Sequence, residues 1–184
     1  MNRLASPAQL RASFVRWSLF LVPAVLLLGR LSGLAGGDTS SDPWFMVLDK
    51  PSIFPPPAAF GIVWPILYTM MGFAMAIVCS AWGSRYRSAA IVAFIVQLAI
   101  NLAWNPIFFA AHEITLALIV IGVLNVAVIV TIVLFWKVRR SAALLMLPYL
   151  AWLLFATVLN WQFLRLNPDA DGVEVSAAVQ RFEL

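Results

Sequence analysis

The stretch ITLALIVIGVLNVAVIVTIVLFW, from Ile114 to Trp136, contains no charged residue and decides the class of fold. A helix needs about 20 apolar residues to cross the hydrocarbon core of a bilayer, so this stretch can span a membrane. Ser88–Ala111 and Ser141–Leu164 are equally free of charge. The whole chain is 63% hydrophobic and 11% charged, whereas soluble domains are roughly 45–50% apolar and 25% charged. We therefore predict an all-α integral membrane protein.

Two further spans are less regular near one end. The charge-free stretch Pro51–Ser84 is long, but its prolines delay the helix until about Ala58. The first apolar run, Trp17–Gly29, reaches spanning length only if the helix continues past Arg30, with that side chain extended toward the interface. The sequence thus predicts a five-helix membrane domain over residues 14–167, with spans at about 14–35, 58–82, 88–111, 114–136 and 141–164. Outside these spans it predicts an N-terminal extension (1–13), a loop (36–57) and a polar, mobile tail (168–184).

Positive charge is concentrated on one side of the predicted bundle. Eight of the 12 basic residues fall on the side of the N-terminus, and the other four fall on the opposite side with all eight acidic residues. The positive-inside rule therefore predicts a cytoplasmic N-terminus, with the first loop and the C-terminus outside. An alternative for the first run is a signal peptide cleaved after Ala35, because Arg11 and Arg16 precede it and small residues end it.

The rare residue types exclude several kinds of chemistry. Cys79 is the only cysteine and His112 the only histidine. One chain therefore cannot form an internal disulfide or a cysteine metal site, and zinc, bis-histidine haem and Ser-His-Asp chemistry are all disfavoured. We also find no nucleotide motif and no evident general base. We expect no intrinsic cofactor and no metal, and a lipid bilayer rather than nucleic acid as the surroundings.

Aromatic and polar side chains recur at steps of three or four residues in three of the spans, which places them on one face of each helix. One interpretation is ordinary packing between helices. The other is a cavity lined by flat rings and a few hydrogen-bonding groups, suited to a large planar apolar ligand. The residues are Phe60, Trp64 and Tyr68 in the second span, Gln97, Asn101, Trp104 and Phe108 in the third, and Tyr149, Trp152, Ala156 and Asn160 in the fifth.

The opposite face of the third span carries small residues. Ala99, Ala103 and Ala110 lie about 180° from the face of Gln97. Ala99 and Ala103 form a small-xxx-small pattern, which lets another helix approach closely. This face is the predicted contact of a homodimer.

Four motifs in this order resemble the translocator protein family, also called TspO/MBR, tryptophan-rich sensory proteins or peripheral-type benzodiazepine receptors. The resemblance covers about Trp44 to Arg165. Its motifs are WFMVLDKPSIFPPP at Trp44–Pro57, W-x-x-L-Y at Trp64–Tyr68, Q-x-x-x-N-x-x-W-x-P-x-F-F at Gln97–Phe109 and P-Y-x-x-W-x-x-x-A-x-x-L-N at Pro148–Asn160.

The resemblance implies a five-helix bundle that keeps its first helix, forms a dimer and binds porphyrins, with protoporphyrin IX or haem as ligand. In this picture the first loop is a lid: Trp44 and Phe45 cap the cavity, and Lys50 pairs with a ligand carboxylate. Some relatives bind cholesterol, but Trp161 stands where the sterol-associated pattern has tyrosine, so sterol binding is not expected. Ile53 also replaces a tryptophan of the loop motif.

The resemblance leaves three functions open. The first is a receptor or sensor that regulates or buffers tetrapyrroles. The second is an enzyme that degrades porphyrin with light and oxygen, for which the resemblance implies Trp64 and Trp152. The third is a transporter of tetrapyrroles or sterols, which ranks last because there is no internal repeat and no charged path through the spans.

The charge distribution generates a topology prediction. After Cys79 is replaced, a cysteine introduced in the segment Asp38–Asp49 should react with an impermeant thiol reagent added to intact spheroplasts. A cysteine introduced beside Arg139 should react only after the membrane is permeabilised. The reverse labelling pattern would contradict the predicted orientation.

Overall fold

The computed structural model describes residues 7–37 and 41–173. Those residues form α-helices and short helical turns, without any strand, and five of the helices are long and apolar enough to cross a membrane. The predicted all-α membrane fold is therefore confirmed. The helices are α1 Pro7–Ala35, α2 Pro43–Val47, α3 Pro57–Ser80, α4 Arg87–Asn105, which continues as a π-helical turn over Pro106–Ala110, α5 Ile114–Val138, and α6 Arg140–Leu166, which is followed by a 3-10 turn over Pro168–Ala170.

Two features near the ends of the chain are not predicted by the sequence pattern. Helix α1 begins at Pro7, so half of the expected N-terminal extension is helical. The tail is also ordered at its start, where Asp171 accepts hydrogen bonds from the backbone N–H and the hydroxyl of Thr115 at the beginning of α5. This carboxylate satisfies a free amide of the helix N-terminus. The remaining parts of the expected extension, loop and tail, residues 1–6, 38–40 and 174–184, lie outside the described residues.

The first loop, expected to lack regular structure, contains the short helix α2. The Asp42 side chain caps its N-terminus by accepting a hydrogen bond from the Trp44 amide, 3.0 Å away, and Pro43 occupies the first helical position. At the other end, Lys50 Nζ donates to the carbonyl oxygens of Phe45, Met46 and Leu48, at 3.1, 3.4 and 3.3 Å. The loop is therefore a small closed unit, and we call residues 41–56 the lid.

Inside the bundle, α1 packs on α3, α3 on α6, α6 on α5 and α5 on α4. The buried core contains apolar residues from these helices, among them Met71, Val78, Phe135 and Met146. The outward faces carry large exposed apolar side chains, including Leu19, which is 72% exposed. Such an apolar surface is stable against lipid rather than water.

Helices α1 and α3 approach closely because glycine stands at two of their contacts. A Cβ atom at Gly72 would lie 2.7 Å from Val22 Cα, and one at Gly29 would lie 2.1 Å from the ring of Tyr68. Since Tyr68 lines the cavity described below, the glycine at position 29 also fixes where this ring can lie. The close approach of α1 therefore shapes one wall of the site.

This packing generates a stability prediction. Gly72→Ala should lower the free energy of unfolding by about 1–3 kcal/mol, because the new methyl group meets backbone atoms that cannot move aside independently. Gly122→Ala is the matched control, since no atom lies within 4 Å of a Cβ built there. The measurement is the melting temperature of both purified variants in the same detergent. Equal melting temperatures would contradict the close packing of α1 on α3.

Candidate ligand-binding cavity

A cavity of about 840 Å³ lies beneath the lid, between α1, α3, α4 and α6. The lid, α3, α4 with its π-helical turn, and α6 contribute aromatic rings to its lining. Helix α1 contributes Leu26, Gly29, Arg30, Gly33 and Leu34. In the part of the chain that the structure describes, no aspartate or glutamate lines the cavity. The aromatic lining consists of Phe45 and Phe54 from the lid, Phe60, Trp64 and Tyr68 from α3, Trp104 from α4, Phe108 and Phe109 from the π-helical turn, and Trp152 and Phe163 from α6.

The lining rings support one another. Trp64 stacks on Tyr68 with centroids 5.2 Å apart, and Phe60 meets Trp152 edge-to-face at 5.9 Å. Phe54 of the lid packs on Phe60 at 5.6 Å. Aromatic pairs with these separations and tilts contribute about 0.5–1.5 kcal/mol each beyond the burial of their area. The walls are consequently held in place without a ligand.

Hydrogen bonds fix two of the rings. The Tyr68 hydroxyl donates to Asn101 Oδ1 at 2.9 Å, and Trp104 Nε1 donates to Asn160 Oδ1 at 3.2 Å. Asn160 in turn donates from Nδ2 to the carbonyl oxygen of Ile114 at 3.1 Å. These amides hold the rings against the neighbouring helices, so the cavity keeps its shape.

Nine of the fourteen predicted ligand-binding residues lie in the cavity lining. They come from the lid, α3, α4 with its π-helical turn, and α6. In each helix they lie in the half nearest the lid. They are Phe45, Phe60, Trp64, Tyr68, Trp104, Phe108, Trp152, Ala156 and Asn160.

Three predicted residues lie deeper than the cavity. Gln97 and Tyr149 are fully buried, and Asn101 is 4% exposed. The physical reason is distance along the helix: Gln97 precedes Trp104 by seven residues, or about 10 Å at 1.5 Å per residue. At that depth the helices touch, so these side chains pack between them instead of lining the cavity. Asn101 still acts on the lining through its hydrogen bond with Tyr68.

Trp44 anchors the lid and does not line the cavity. It is 1% exposed, its Nε1 donates to the carbonyl oxygen of Ala170 at 2.9 Å, and its ring stacks on His112 at 4.4 Å. A second link joins Asp49 and Asn167: the Asp49 amide donates to Asn167 Oδ1 at 2.7 Å, and Asn167 Nδ2 donates to the Asp49 carbonyl oxygen at 2.9 Å. The lid is thus fastened to the segment that follows α6.

Lys50 also lies outside the lining. Its ammonium group binds the three carbonyl oxygens at the end of α2 and sits 5.1 Å from the centre of the Phe45 ring. This arrangement stabilises the lid by satisfying carbonyls that the short helix leaves free. In this conformation the ammonium group is directed at the lid itself, and not at the cavity.

Sequence reasoning missed several lining residues, among them Phe54, Phe109, Phe163 and Arg30. Phe163 continues the α6 stripe three residues after Asn160, so the helical period could have found it. Phe109 joins Phe108 in the lining because the π-helical turn changes the direction of successive side chains, which a regular 3.6-residue period does not predict. For Arg30, the sequence predicts only a place at the membrane interface.

The predicted dimer face lies on the outside of α4 and the turn that continues it. Ala99, Ala103 and Ala110 are exposed, and none of them lines the cavity. A second copy packed on this face would therefore leave the cavity unobstructed.

The fold and the cavity define a multi-pass helical membrane protein with an aromatic chamber covered by a lid. A sequence model of the TspO/MBR family matches residues 20–166, so the chain belongs to the TspO/MBR family. It is 36% identical over 140 residues to the tryptophan-rich protein TspO of Chlorobaculum tepidum, covering 74% of this chain and 89% of that one.

Relatives from other organisms have a similar sequence identity to this chain. The tryptophan-rich sensory protein of Cereibacter sphaeroides is 34% identical over 151 residues, covering 82% of this chain and 92% of the relative. The human translocator protein is 39% identical over 120 residues, covering 64% of this chain and 71% of the relative.

Proposed function

We propose that this protein is a membrane receptor or sensor that binds a porphyrin-type tetrapyrrole, protoporphyrin IX or haem, in the cavity beneath the lid, and so regulates or buffers it. The observation that carries this proposal is the aromatic cavity itself. Its volume of about 840 Å³ falls toward the upper end of the roughly 300–1,000 Å³ typical of small-molecule sites. A large, flat, apolar ring system matches both the size and the lining.

The indole rings supply the binding surface for such a ligand. Trp64 from α3 and Trp152 from α6 border the same cavity from different helices, and Phe45 covers it from the lid. Ring stacking against a porphyrin contributes on the order of 1 kcal/mol per ring beyond the burial of apolar area. Recognition then depends on the combined shape of the cavity more than on any single ring.

The lid offers a way for occupancy to be sensed. Phe45 lines the cavity, and the adjacent Trp44 is hydrogen-bonded to Ala170 after α6. A ligand that displaces Phe45 would therefore strain or release the link between the lid and the tail. If the first loop and the C-terminus are outside, as the charge distribution predicts, this change would occur on the outer side of the membrane.

The test is a titration of the purified protein with protoporphyrin IX in the dark, followed by quenching of tryptophan fluorescence. The wild type should show saturable quenching. Ala156→Leu should weaken binding about ten-fold or more, because the larger side chain fills space in the cavity. Trp64→Phe should weaken it only a few-fold, since a ring remains. Ala151→Leu, on the exposed side of the same helix, should bind like the wild type.

Absence of saturable quenching in the wild type would overturn the proposal. Equal affinity of Ala156→Leu and the wild type would show that the ligand binds elsewhere. The same titration under light tests the enzyme alternative, in which porphyrin absorbance decays and Trp64→Phe or Trp152→Phe slows the decay more than it weakens binding.

We also propose that the protein is a homodimer through the outer face of α4. Replacing Ala99 and Ala103 together by leucine should shift the protein toward monomer, because the larger side chains block close approach of helices. Size-exclusion chromatography with light scattering measures the mass, and Ala151→Leu again serves as the control. A double variant that keeps the mass of a dimer would place the interface elsewhere.

A further inference from the structure

Of the residues that the structure describes, one with a charged side chain borders the cavity. Arg30 lies on the face of α1 that also carries Leu26, Gly29 and Gly33, and all four line the cavity. Among the described residues, no other lysine, arginine or histidine and no acidic residue lines the cavity. The cavity is therefore apolar over most of its surface and cationic at one place.

The tyrosine and the two asparagines of the lining have hydrogen-bond partners in the protein. Tyr68 donates to Asn101, Asn160 bonds both Trp104 and Ile114, and Asn105 Nδ2 donates to Ser32 Oγ at 3.1 Å. Arg30 differs from them, because within the described part of the chain its guanidinium forms no hydrogen bond and no ion pair. Its five N–H donors remain available.

Arg30 is exposed near the lid end of a membrane-spanning helix, where its charge requires water or an anion as a partner. It lies five residues before the end of α1, or about 7.5 Å along the helix axis from Ala35. A cation in a membrane helix is unfavourable unless it meets water, a lipid headgroup or an anion. Lys50, the other cation near the cavity, is already held by the lid carbonyls, so it does not compete for an anionic ligand.

We infer that Arg30 is the anchor for a carboxylate at the edge of the ligand, so that the cavity selects planar apolar molecules that carry an acidic group. The guanidinium matches a carboxylate with two parallel hydrogen bonds, whereas the rest of the cavity accepts only the apolar body. This inference rests on the proposed function, since it names the part of a porphyrin acid that Arg30 holds. A phosphate of a lipid headgroup is the other anion that Arg30 could meet.

The test compares protoporphyrin IX with its dimethyl ester, which has the same ring system but no free carboxylate. Both are titrated in the dark into the wild type, Arg30→Gln, Arg30→Lys and Arg165→Gln. Arg165 is the matched control, because it is also near the lid end of the bundle but lies against Trp161 and outside the cavity lining.

The wild type should bind the free acid about ten-fold more tightly than the ester, as expected for loss of a charge-assisted hydrogen bond. Arg30→Gln should lose this preference and keep the ester affinity, which also shows that its cavity is intact. Arg30→Lys should keep part of the preference, and Arg165→Gln all of it.

Two results would overturn the inference while leaving the proposed function in place. The first is equal binding of acid and ester by the wild type. The second is a preference that survives in Arg30→Gln, as expected if Arg30 pairs with a lipid phosphate. Failure of the wild type to bind either porphyrin would instead overturn the proposed function itself.

Discussion

Backbone groups cannot be left without partners in lipid, and this constraint shapes the whole molecule. The five spans satisfy it as helices. The lid lies outside the five spans, where backbone groups that are shielded from water also need partners. Side chains supply them: Asp42 caps the start of α2, Lys50 binds three carbonyls at its end, and Asn167 pairs with the backbone of Asp49. These bonds make a short irregular segment rigid enough to cover a cavity.

The two halves of the bundle are packed differently: the helices meet closely in one half, whereas in the other half aromatic rings line an open space. Deep in the bundle, small residues and flexible side chains such as Ala74 and Met71 let helices meet. Beneath the lid, Trp64, Trp104 and Trp152 border the space that remains between the helices. The rings that line this space also provide the surface against which a flat ligand would stack.

The membrane spans can be predicted well from the sequence, because a run of 20 or more apolar residues without charge is rarely found outside a membrane. The aromatic faces can be predicted because the helical period places residues around the axis. Depth is harder to predict. The period does not show where neighbouring helices diverge, so it groups Gln97 and Tyr149 with Trp104 and Trp152 although they lie below the cavity. The order in the tail depends on contacts between distant segments, such as Trp44 with Ala170, which local patterns do not reveal.

The most direct measurement is an experimental structure of the protein in lipid with protoporphyrin IX bound. We predict density for one ring system within the cavity, against Trp64 and Trp152 and beneath Phe45, with its acidic edge toward Arg30. Porphyrin density on the outer surface of the bundle, with the cavity left without ligand, would contradict a binding site beneath the lid.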